Sequence, residues 1–80
     1  MQKFEFCIVD IYYRFLITFT SNGWKEVRLK KDKKLGDQND YDAAARAIAQ
    51  LGLDGWELVG GASAEGRGIN SILYFQRVVP

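Results

Sequence analysis

The sequence predicts an α+β fold: a four- to five-stranded, mostly antiparallel sheet with one α-helix packed on one face. Three observations carry this. Short runs near both ends of the chain alternate apolar and polar residues, the period of a half-buried strand. One alanine-rich stretch in the second half has the helical period instead. The chain has 80 residues, 48% hydrophobic and 14% aromatic, so it makes one domain over 1–80 with a real but small core.

The first strand is Lys3-Phe4-Glu5-Phe6-Cys7-Ile8-Val9-Asp10. Phe4, Phe6 and Ile8 fall on one side and are expected to supply its buried face. Cys7 reads as a small buried hydrophobe. Tyr13 to Thr20 is again aromatic and β-branched. One strand from Lys3 to Thr20 would span about 60 Å at roughly 3.3 Å per residue. That exceeds a domain of this size, so a turn is expected near Asp10 to Tyr12, although no Gly or Pro marks it.

Ser21-Asn22-Gly23 is a hairpin signal. A two-residue Asn-Gly loop would set Phe19 against Glu26 and Ile17 against Arg28, mixing core and solvent on one face. A three-residue loop with Gly23 left-handed pairs Ile17 with Val27 and Phe15 with Leu29. A slip of one residue flips every side chain, so we favour the second register. It places Leu16, Thr18, Thr20, Trp24, Glu26 and Arg28 together on the opposite face. Lys30 to Asn39 is polar and charged and reads as an exposed loop with room to move.

Asp40 is the expected helix cap, and Asp42 suits the positive N-terminal end of the helix dipole. Tyr41, Ala44, Ile48 and Leu51 form one apolar stripe, and the alanines between them favour helix. Gly52 is the expected left-handed stop. Trp56 to Gly61 is a short strand, Gly60 to Gly68 a glycine-rich connection, and Ile69 to Val79 the last strand. There is no internal repeat and no linker.

The run Leu51-Gly52-Leu53-Asp54-Gly55-Trp56-Glu57-Leu58-Val59-Gly60-Gly61, followed later by Tyr74-Phe75-Gln76-Arg77, carries a resemblance. With Phe4-Glu5-Phe6 as first strand, the chain resembles a small bacterial domain, domain-of-unknown-function family 4177, whose pattern includes a Gly-Trp-Glu-Leu-Val strand. Ile48 to Val59 is the signature, and the resemblance covers about half of the chain. The Phe15 to Leu29 hairpin with its lysine-rich loop is longer than the family's usual middle segment. The resemblance implies a fold and no activity. In its light the quoted run is a joint: Gly52 ends the helix, Leu53 packs back, Gly55 permits reversal, and Trp56 seals the helix against the sheet.

Several chemistries are excluded by composition. With no His, neither Ser-His-Asp nor Cys-His nucleophiles can be built. One Cys and no His cannot hold a structural or catalytic zinc. Asp37, Asp40, Asp42 and Asp54 do not match a calcium-loop spacing. Glu5, Glu57 and Glu65 show no paired-carboxylate arrangement. No phosphate-loop or dinucleotide fingerprint occurs. The expectation is therefore not an enzyme, with no cofactor.

Net charge is +1 and no apolar run reaches membrane-spanning length. The Lys3–Asp10 alternation is unlike a signal peptide, and a lone Cys forms no internal disulfide, so a soluble cytoplasmic protein is expected. Two functions stay open. One is a non-enzymatic interaction module, a homo-oligomer or a binder of a protein partner, using the second sheet face. The other is a nucleic-acid or nucleotide binder using aromatic residues and the basic cluster of Lys25, Arg28, Lys30, Lys31, Lys33 and Lys34. Glu26 and Asp32 interrupt that cluster. Gly60 to Gly68 reads as a hairpin loop, or as an anion nest around Arg67. The residues singled out for an interface or ligand face are Leu16, Trp24, Arg28, Lys30 and Arg67.

Overall fold

The computed structural model describes residues 3–62 and 71–79. It contains the expected sheet and helix. The strands are β1 (Lys3–Asp10), β2 (Phe15–Thr20), β3 (Gly23–Arg28), β4 (Glu57–Ala62) and β5 (Ile72–Val79), with the helix α1 (Asp40–Leu53) between β3 and β4. Their order is β3-β2-β1-β5-β4, and every neighbouring pair is antiparallel. β1 is therefore central. β3 and β4 run in the same direction at opposite edges, so α1 carries the chain across the whole sheet.

β1 and β2 are separate strands. The turn between them needs no glycine, because Arg14 takes the left-handed conformation at φ 60°. The Asp10 carboxylate accepts a hydrogen bond from the Tyr13 backbone N–H at 2.8 Å and closes the turn.

The β2–β3 hairpin departs from the expected register. Thr20 pairs with Gly23 across a two-residue Ser21-Asn22 loop, and Phe19, Ile17 and Phe15 then oppose Trp24, Glu26 and Arg28. Gly23 does take a positive φ, 116°. Leu16 pairs with Val27 and lies on the other face from Trp24. The register could shift because β2 is apolar on both faces, so neither alignment strands a polar residue in a core.

β1 also turns its other side to the core. Cys7 and Val9 are fully buried under α1, clustered with Leu29, Ala43, Ala44, Leu51, Trp56 and Phe75. Leu16, Ile48 and Leu73 pack against that cluster. Phe4, Phe6 and Ile8 point the opposite way. Burial pushes the Cys7 thiol pKa up, which leaves it a poor nucleophile near neutral pH.

The helix begins one residue earlier than expected, with Asn39 as cap: its side chain accepts from the Asp42 N–H at 3.0 Å. Tyr41 faces outward beneath Arg14, whose guanidinium lies 5.7 Å from its ring centre. The lysine-rich loop is tied down. Asp32 caps a short 3₁₀ turn, Lys33–Leu35. Asp37 is buried, accepts the Asp32 N–H at 2.9 Å, and pairs with Arg46 of the helix.

The joint ends the helix with Gly55, not Gly52. Gly55 is left-handed at φ 87°; its N–H reaches the Gly52 carbonyl, and the Trp56 N–H reaches the Leu51 carbonyl at 2.9 Å. This is a Schellman motif with Trp56 and Leu51 as its hydrophobic pair. Leu53 does not pack back; it is 82% exposed. Trp56 is buried, and Arg77 of β5 stacks on it at 4.4 Å. The same guanidinium bonds Glu5 of β1 at 2.7 Å and the Asp54 carbonyl at 3.3 Å.

Two predictions follow from this packing. Trp56→Ala should cost about 3–5 kcal/mol, a large share of a small domain's stability, read by urea unfolding. A folded variant of near wild-type stability would refute the joint. The second concerns acid. The Arg46 side chain, then the Asp32 N–H, hold the Asp37 carboxyl below its usual range. A folded-state pKa depressed in this way adds stability above the unfolded carboxylate pKa. That stability is lost as pH falls through the folded value. Asp37→Asn should therefore melt lower than wild type at neutral pH, and the gap should close on acidification.

Candidate functional site

Strand alternation and the pairing registers place one set of side chains on the sheet face away from the helix. Trp24, Phe19, Phe6, Gln76 and Glu57 form one row across the five strands. Glu26, Ile17, Ile8 and Tyr74 form the next, and Arg28, Phe15, Asp10 and Ile72 a third. Phe4 and Val78 continue the face at its other end. Among the described residues no element covers it. Phe4, Phe6, Phe19, Tyr74 and Val78 are exposed, and Trp24 is 68% open to solvent.

The arrangement has a centre and a margin. The three middle strands contribute mainly apolar side chains; Asp10, which closes the first turn, is buried, and Gln76 is half-buried. The charged residues sit on the edge strands: Glu26 and Arg28 on β3, Glu57 on β4. A groove of about 460 Å³ opens at one end, lined by Phe4, Phe6, Phe19, Thr20 and Val79 among others.

The sequence-derived site residues divide as follows. Trp24 and Arg28 share this open face. Leu16 does not: it packs on the core beside Val9, because the hairpin register is shifted by one residue. Lys30 lies beyond β3 and lines a separate notch of about 270 Å³ with Arg14, Arg28 and Asp40. Arg67 and the connection from 63 to 70 lie outside the described residues. The basic cluster is not one surface, since Lys25 pairs with Thr18 on the helix side of the sheet while Arg28 faces the open side.

In the notch the arginines brace the fold. Arg14 Nε bonds the Asp40 carboxylate at 3.3 Å, and Arg28 Nη1 donates to the Tyr13 carbonyl at 3.3 Å. Among the described residues no group of three or more His, Cys, Asp or Glu could hold a metal ion.

The residues that sequence reasoning placed in the core, Phe4, Phe6 and Ile8, are instead part of the open face. The signal that could have found them is their bulk. Three large side chains lie on one side of β1 and the smaller Cys7 and Val9 on the other, and it is the smaller pair that is buried with the helix.

Phenylalanines on the two faces should respond differently to charge. Phe19→Lys should cost at most about 1 kcal/mol in dilute protein, the span of strand propensity. Phe75→Lys, on the buried face, should abolish folding; urea titration of both variants decides this. The chain matches no family model, no curated protein and no solved structure.

Proposed function

We propose that this protein is a non-enzymatic interaction module whose working surface is the open sheet face. The observation that carries the reading is the contiguous aromatic surface of Phe4, Phe6, Phe19, Trp24 and Tyr74. With about 200 Å² for a whole Phe or Tyr and about 250 Å² for Trp, their solvent-open parts come to about 500 Å². Ile8, Phe15, Ile17, Ile72 and Val78 add to it. A monomer rarely keeps more than a few hundred Å² of contiguous apolar surface in water. Enrichment in Phe, Tyr and Trp at the centre, with charge at the margin, is the anatomy of a protein interface.

The nucleic-acid reading has one observation in its favour: Trp24 and Arg28 share the face with stacking-competent rings. The charge opposes it. Glu26 and Glu57 lie on the same face as Arg28, so no cationic groove follows the rings. The likeness of 48–59 to family 4177 belongs to this proposal and adds no activity. No described helix is long and apolar enough to cross a membrane. We place the protein in the cytoplasm on the strength of its single buried, unpaired thiol.

Two measurements test the reading. At sub-micromolar chain concentration, anilinonaphthalene sulfonate should bind wild type, and Phe6→Lys/Phe19→Lys should lose most of that binding while keeping its circular dichroism. Labelled oligodeoxythymidine should show no anisotropy change. Tight binding that falls steeply with salt would replace this reading with the nucleic-acid one.

A further inference from the structure

From the open face we infer that its occupant is a second copy of this chain, packed sheet on sheet. This rests on the interaction-module reading and names the partner. The face is large enough for such a partner. The aromatic part alone is about 500 Å², and the aliphatic residues around it bring the face toward the roughly 800 Å² per partner of a stable interface.

The face also complements itself. In a two-fold dimer the same patch serves both sides, so it must match itself. An apolar centre does so without preference of register. The margin carries both signs, Glu26 and Glu57 against Arg28, so one copy's edge holds counter-charges for the other's. A net charge of +1 gives two copies little mutual repulsion.

The sheet edges disfavour the rival mode of self-association, edge to edge. β3 carries Lys25, Glu26 and Arg28 along its free edge, and β4 is broken by a bulge between Leu58 and Gly60. Both are features that discourage strand addition. The face is left as the route, in an aligned sandwich with sheets about 10 Å apart.

The two tryptophans make the test direct, since Trp56 is buried and Trp24 is exposed in the single chain. Light scattering at low and high salt should give twice the chain mass at both. Acrylamide should quench Trp24 in dilute protein and lose access to it as concentration rises. Phe6→Lys/Phe19→Lys should scatter as one chain, with Trp24 quenchable throughout. Leu53→Lys, at the exposed helix end, should leave the dimer intact.

A single-chain mass up to the solubility limit, with Trp24 always quenchable, would overturn the second-copy proposal. So would a dimer that survives the double variant, or one that Leu53→Lys dissociates. A monomer binding oligodeoxythymidine with steep salt dependence would overturn it in favour of nucleic acid. The dye experiment separates the two levels. A concentrated monomer that still binds dye defeats only the choice of partner, whereas a dilute wild type that binds none defeats the interaction-face reading itself.

Discussion

The structure depends on one guanidinium. The Arg77 guanidinium of β5 sits over the Trp56 ring at 4.4 Å from its centre, bonds Glu5 across to the central strand, and reaches the Asp54 carbonyl at the end of the helix. It thereby ties together the three elements that the joint must align. The planar fork is what allows this, because one face stacks while the edge donates several hydrogen bonds. A lysine could satisfy the charge and would lose the stack and the geometry. The Schellman motif sets the path of the chain out of the helix, and Arg77 fixes that path to the sheet.

The helix faces the sheet with Ala43, Ala44 and Leu51, and Ala47 and Ile48 pack against the same cluster. Beneath it Cys7 and Val9 of the central strand are fully buried, and Phe75 of β5, paired with Cys7, supplies bulk to the same core. Phe4, Phe6 and Phe19 lie on the far face, where they are exposed.

Part of this arrangement was legible in the sequence. The helix was, because Tyr41 to Leu51 has only one periodic reading. The joint was, because Gly55-Trp56 can end a helix in few ways, although the left-handed glycine proved to be Gly55 instead of Gly52. The central strands were legible as strands and ambiguous as to face. Phe4, Phe6 and Ile8 are bulkier than Cys7 and Val9, and apolar alternation alone cannot tell a side buried by folding from one left open. The hairpin register failed for the same reason. Phe15, Ile17 and Phe19 alternate with Leu16 and Thr18, so alternation of β2 did not select one alignment. Trp24 and Arg28 were expected on one face with Leu16, Thr18 and Thr20, and the one-residue slip instead sets them beside Phe15, Ile17 and Phe19, with Leu16 on the other side. The turn at 11–14 carries no composition signal because Arg14 does what glycine usually does.

The pairing of β1 with β5 runs from Lys3 opposite Val79 to Asp10 opposite Ile72. The earliest strand to leave a ribosome therefore waits for the latest one. Until residues 72–79 emerge, the β1–β2–β3 meander has an open inner edge, and Cys7 and Val9 have neither Phe75 nor a seated helix above them. Contacts this distant in sequence slow folding, because the loop must close before the pairing rewards it. Synthesis thus passes through a stage in which both apolar faces of the meander are bare. That nascent stage, more than the finished domain, is where chaperones would find something to hold.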